Sequence, residues 1–197
     1  MKRVIWITLF CGVLVWSGWH PKDQLTWLLE VFPALLGAVL MLITWKRFPL
    51  TPLLYNLILV HCIILMVGGH YTYAEVPLFD SIRDWMGSER NNYDKLGHFA
   101  QGFVPAVLAR EVLLRQQVVQ GAKWLFAIVV SICLAFSAFY ELIEWWVALL
   151  SDEAADAFLG TQGYVWDTQS DMAFALMGAI ISQLTLAGWH NRQLQAL

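Results

Sequence analysis

Charge is scarce in this sequence. Asp, Glu, Lys and Arg together make up 14% of its 197 residues, where an ordinary soluble domain carries about 25%, and 59% of the residues are hydrophobic. Water is therefore not the main solvent of the folded chain. Strict apolar and polar alternation is also missing, which argues against barrel strands, while several uncharged stretches reach the roughly 20 residues that a helix needs to cross a bilayer core. No basic run is long enough to recruit DNA or RNA, and the net charge is -3, with the acidic excess gathered at 152–156. A nucleic-acid partner is not expected. Cysteine is rare: Cys11, Cys62 and Cys133 stand singly inside apolar stretches, a usage that fits small buried hydrophobes rather than a disulfide framework or a thiolate metal site. No small-x-small cleavage site follows the first apolar segment, and Phe10 before Cys11 departs from a lipoprotein processing site, so that segment reads as a transmembrane helix.

What is present is a pattern of helical spans. The sequence predicts an all-α polytopic membrane bundle, a single integral membrane domain over 1–197, with about six transmembrane helices at 3–19, 25–45, 51–70, 95–115, 122–150 and 169–189. A short segment at 75–87 places Val76, Leu78, Phe79, Ile82, Trp85 and Met86 around Asp80, Arg83 and Asp84, the pattern of an interfacial helix. With the N-terminus in the cytoplasm, that side holds Lys2, Arg3, Lys46, Arg47, Arg110, Arg115, Lys123 and Arg192, against Lys22, Arg83, Arg90 and Lys95 on the other. That bias predicts both termini inside. Trp16, Trp19, Trp27, Trp145, Trp146 and Trp166 group at one boundary and Trp6, Trp45, Trp124 and Trp189 at the other, as aromatic belts do. The two long connections, 71–94 and 151–168, open onto the same outer face, and loops of that length mark where function is to be sought.

The ionisable residues converge there. Asp94, His98 and Gln101 fall at i, i+4 and i+7 and form one helical stripe; Tyr140, Glu141 and Glu144 occupy adjacent turns of the fifth span, and Asp167 and Asp171 are again at i and i+4. With His70 at the end of the third span, four helix ends deliver two histidines and five carboxylates to one depth. An ionised side chain in the membrane costs about 2.5 to 3.5 kcal/mol unless paired or wet, so these groups need each other, Lys95 and Arg90, or a bound cation. Histidine and carboxylate ligands suit zinc, manganese or iron, although no HExxH motif is present. Asp94 and Asp167 also suit helix N-termini. Glu30 faces either this cavity or the outer interface, His61 near mid-membrane reads as a satisfied buried imidazole, and His20 and His190 receive no role. Arg110 and Glu111 lie about 24 Å from Asp94 along one helix, too far to join the site.

At these residues the chain resembles a known family. His70-Tyr71-Thr72-Tyr73, the run Arg90-Asn91-Asn92-Tyr93-Asp94-Lys95-Leu96-Gly97-His98-Phe99 and Glu141-Leu142-Ile143-Glu144-Trp145-Trp146 are similar to the YjdF family, over essentially the whole chain. That resemblance implies a bacterial inner-membrane protein. From about residue 93 onward, Asp94-Lys95-x-x-His98-Phe99, Glu141-x-x-Glu144 and Asp171 with Gly178 more distantly resemble the VanZ-like family, whose association with resistance to a lipid-bearing glycopeptide antibiotic implies an envelope or lipid connection. Glu144 stands where that family commonly has Gln, and Ala175 where it often has Asn.

Two functions follow. In the first, a metal-dependent hydrolase or transferase acts on a lipid or envelope amphiphile. His70, His98, Glu141 and Asp167 are its candidate metal ligands, Glu144 or Asp171 is the general base, and Asp94 orients His98. In the second, a non-catalytic module binds an amphiphile or lipophilic antibiotic in the same cavity. A transporter fits less well, because the acids stop near one face and inverted repeats are not visible.

Overall fold

The computed structural model describes residues 3–150 and 161–197. Lys2 and the acidic run at 152–156 lie outside the described residues. Seven helices and no strands are seen among them: α1 (Arg3–Gly18), α2 (Gln24–Thr44), α3 (Pro52–His70), α4 (Pro77–Met86), α5 (Tyr93–Arg115), α6 (Ala122–Leu150) and α7 (Asp167–Leu194). The protein is a polytopic helical membrane protein. Helices α2, α3, α6 and α7 are each long and apolar enough to cross a bilayer. Helix α1 is apolar but only 16 residues long, and α5 carries charge at both ends, with none between Phe99 and Leu108.

Local chemistry fixes the ends. Asp23 caps α2 by accepting the Thr26 backbone N–H at 2.6 Å, which holds its carboxyl below the usual carboxylate range. Thr51 caps α3, where Pro52 opens the first turn, and Gly87 closes α4 in the left-handed conformation with φ 63°. Exposed apolar side chains such as Leu42, Ile43, Phe136 and Leu184 cover the outside of the bundle, whereas Glu30, Lys95, His98, Glu111 and Asp171 are buried. This inverts a water-soluble protein and matches a lipid solvent.

The helices fall into two neighbourhoods, α1 with α3 and α2 with α3, and α5 with α6 and α7, joined where α3 meets α5. Helix α5 lies against α7 more closely than any other pair. A Cβ placed on Gly102 would come 1.8 Å from the Ala175 carbonyl oxygen, and one on Gly178 would come 2.2 Å from that of Phe99. Such small-residue contact lets two backbones touch. It also fixes which faces of α5 and α7 confront each other, and these are the faces that carry the polar residues.

Candidate functional site

The polar stripe of α5 begins in the first turn of the helix and is held in register by its preceding loop. Asn91, fully buried, ties three segments together. Its backbone N–H donates to Gln162 Oε1 at 3.0 Å and its carbonyl accepts from Gln162 Nε2 at 2.9 Å, joining the loop before α7 to the start of α5. Its amide donates to Val76 O at 3.0 Å and to Asp80 Oδ1 at 2.9 Å, which docks α4 beside the same end. Tyr73 fills a slot that exists because Gly68 and Gly97 have no side chains, since a Cβ at either would strike its ring. On α4, Leu78, Trp85 and Met86 stay exposed, while Arg83 pairs with Asp80 at 2.9 Å and with Asp84 at 2.8 Å. The Asp84 carboxylate raises the Arg83 guanidinium above its ordinary value.

Inside this frame lies one continuous network. Lys95 Nζ donates to Asp167 Oδ1 and Asp171 Oδ1, both at 2.6 Å, and stands 3.5 Å from Asp94 Oδ2. Arg90 reaches Asp94 at 3.2 Å and Asp167 at 2.6 Å. His98 sits at the centre: its Nε2 is 3.3 Å from Asp94 Oδ1 and 3.8 Å from Asp171 Oδ1, and its Nδ1 is 3.0 Å from Gln101 Oε1 and 3.8 Å from Glu141 Oε1. Tyr140 donates its hydroxyl to Glu30 Oε2 at 3.1 Å. Two trios offer ligand atoms within 4.8 Å of one another, Asp94 with His98 and Asp171, and His98 with Glu141 and Glu144.

The two trios are not equivalent. Lys95 and Arg90 already lie on Asp94 and Asp171, so a further cation there would face two fixed positive charges. Around Glu141 and Glu144 no such pairing is seen among the described residues, and Glu141 Oε1 is buried without a hydrogen-bond partner. A buried carboxylate oxygen left in that condition is costly, and the His98, Glu141 and Glu144 donor set is one that zinc, manganese or iron accepts.

A family match spans the residues that build this network. The family described as "Predicted membrane protein (DUF2238)" matches residues 2–192. This chain belongs to that family. It is also 55% identical over 183 residues to the inner membrane protein YjdF of Escherichia coli (strain K12), covering 93% of this chain and 88% of that protein. No solved structure matches.

Of the seven candidate residues, five meet around His98 as their spacing implies: Asp94, His98, Glu141, Glu144 and Asp171. His70 does not join them. Helix α3 packs against α1 at this end, so the His70 ring lies 4.7 Å from that of Trp16 and its Nδ1 bonds to Ser17 O at 2.9 Å. Asp167 lies in the network but belongs to neither trio, because Lys95 and Arg90 hold it. Glu144 shares a trio with Glu141, so it stands as a ligand candidate as well as a base. Glu30 proves to face the network, since α2 meets the end of α3 at Gly69, where a Cβ would lie 3.2 Å from that of Glu30. The expected satisfied imidazole at His61 is not found: its buried Nε2 lacks a hydrogen-bond partner among the described residues.

A second buried network, missed in the sequence, closes the opposite end of α5. Helix α7 runs on to Leu194, past the apolar stretch, and so carries His190 inside the bundle with no exposure. Glu111, also with no exposure, accepts from Thr51 N at 3.1 Å, Thr51 Oγ at 2.8 Å, Arg115 at 3.0 Å and His190 Nε2 at 3.0 Å. Arg110 donates to His190 Nδ1 at 3.0 Å. A guanidinium has no acceptor, so His190 Nδ1 takes the hydrogen bond and the proton on Nε2 points at Glu111. The signal available in the sequence was Arg110-Glu111 two spans before a histidine at matching depth.

Proposed function

We propose that the protein crosses a bacterial inner membrane six times with both termini in the cytoplasm, and that its His98 centre is a metal-dependent hydrolase or transferase site for a lipid or envelope amphiphile. One observation carries the proposal: six buried carboxylates, Glu30, Asp94, Glu141, Glu144, Asp167 and Asp171, gather about one histidine with Arg90 and Lys95 the only fixed cations paired to them among the described residues. At membrane depth such an excess demands protons or a divalent cation. His98 Nδ1, Glu141 and Glu144 would hold the cation, with the Gln101 amide turned away from Nδ1, where its Oε1 now stands at 3.0 Å. Once bound, it would supply Lewis acidity and an activated water.

The chain's own residues supply the rest. Asp94 accepts from His98 Nε2, which fixes the ring and leaves Nδ1 toward Glu141. Asp171, anchored by Lys95, is the carboxylate beside His98 placed to take a proton. The exposed apolar face of α4 would bring an amphiphile to this end of the bundle. The resemblance to the VanZ-like family at Asp94, His98, Glu141 and Asp171 gives the envelope connection. A non-catalytic module that binds an amphiphile or lipophilic antibiotic in the same cavity is the second reading, favoured by the exposed apolar Leu78, Trp85 and Met86 of α4 beside it.

Metal analysis of the purified protein is expected to find one zinc, manganese or iron per chain. His98→Ala and Glu144→Gln each abolish it without lowering melting temperature in step, while Asp94→Asn weakens metal affinity by roughly 10- to 100-fold, the cost of a lost orienting partner. A metal-free wild type that keeps full function would overturn the metal assignment.

Orientation has its own test. A cysteine introduced as Ser88→Cys is expected to react with a membrane-impermeant thiol reagent added to intact cells, and one appended after Leu197 is expected to be protected. The reverse pattern would invert the topology.

A further inference from the structure

A groove of 590 Å³ runs along the outer side of α1, lined by Gly12, Val15, Trp16, Trp19, His20 and His70. It lies away from the His98 network, at the same end of the bundle, where His70 closes α3. Its polarity changes along its length. Gly12, against which an added Cβ would meet nothing within 4 Å, and the exposed Val15 form the apolar part. Trp19 and His20 stand about 10 Å farther along the helix axis and form the polar head.

The head offers donors and no carboxylate. Trp6 and Trp27 give their indole N–H groups to Tyr55 O and Ser17 Oγ, whereas those of Trp16 and Trp19 meet no acceptor among the described residues. A carbonyl oxygen only accepts, so the His70 nitrogen that bonds to Ser17 O carries its hydrogen, and Nε2 is left as an acceptor for a headgroup hydroxyl. The neighbouring acid, Glu75, is occupied by Lys22, whose backbone N–H fixes the His70 carbonyl at 3.1 Å. The Trp16 and Trp19 indole N–H groups and the His20 imidazole above an apolar channel complement a phosphodiester above an acyl chain, because the phosphate is acceptor-only and the chain needs only an apolar wall.

We infer that this groove binds a membrane phospholipid, with the phosphodiester at Trp16, Trp19 and His20, a headgroup hydroxyl at His70 and an acyl chain lying over Gly12 and Val15. The site is independent of the metal reading. It adds a lipid-binding surface to α1, a helix that contributes nothing to the His98 network.

The test is native mass spectrometry of the delipidated full chain titrated with phosphatidylglycerol, with diacylglycerol of the same chains, and with inorganic phosphate. Two variants keep it interpretable. Gly12→Trp fills the channel where space is open, and His20→Gly removes an imidazole at a positive φ of 50° that glycine accepts. Phosphatidylglycerol retention is expected to fall about 10-fold in His20→Gly, the loss of one charge-assisted hydrogen bond, and to fall in Gly12→Trp, while diacylglycerol responds only to Gly12→Trp. Unchanged phosphatidylglycerol binding in His20→Gly, or equal loss of both lipids there, would show an ordinary lipid-facing surface and overturn the inference. Competition by inorganic phosphate alone, with no dependence on the chains, would overturn it as well. The same titration on His98→Ala should be unaltered, which separates this site from the metal centre.

Discussion

Lys95→Met is expected to destabilise the protein by about 3 to 5 kcal/mol, the cost of removing one partner from a buried ion pair. Lys95 is 7% exposed, and its ammonium holds Asp167 and Asp171 at 2.6 Å each. Methionine keeps the length and the apolar stem, so packing changes little. What changes is that Asp171 loses its fixed cation and Asp167 keeps only Arg90. Thermal or denaturant unfolding of the purified protein measures the loss, and Asp171→Asn in the Lys95→Met background should restore part of it, because contacting residues couple. A loss below about 1 kcal/mol, the ordinary worth of an exposed pair, would mean that water reaches the network freely.

Glu111→Ala should cost a similar amount, about 3 to 5 kcal/mol, at the other end of the same helix. The carboxylate serves Thr51, Arg115 and His190 at once, and alanine would leave the Thr51 N–H and the His190 Nε2–H buried without an acceptor. Because Glu111 and Thr51 also fix the start of α3 to α5, limited proteolysis should find the connection before Pro52 opened in the variant. Metal and lipid binding per folded molecule should stay at wild-type levels, since Lys95 and Glu111 lie about 24 Å apart along α5. Loss of bound metal without loss of melting temperature would contradict a purely structural role for Glu111.

The two clusters differ in how they could be read beforehand. Asp94, His98 and Gln101 share a stripe by helical spacing alone, and Glu141, Glu144 and Asp171 occupy the same depth because each follows or precedes an apolar run of known length. The meeting of His98 with Glu141 at 3.8 Å follows that logic. His190 was hidden by the same logic, since the apolar stretch ends before it and the helix does not. His70 was at the right depth and on the wrong side: α3 presents it to α1, where Ser17 and Trp16 take it. Glu30 had two directions open to it until α2 met Gly69 of α3 and turned it toward Tyr140.

By itself the sequence determined the solvent, the helices and the depth of the ionisable groups that border its apolar stretches, because apolar length and a rise of 1.5 Å per residue are properties of one segment at a time. The tertiary structure decided which groups touch. Gly102 and Gly178 let α5 and α7 close to backbone contact, which brings Lys95 against Asp167 and Asp171 and leaves Glu141 Oε1 without a partner. Depth is a coordinate along one helix. Partnership depends on the rotation of several helices about their axes, and only their mutual packing sets that angle.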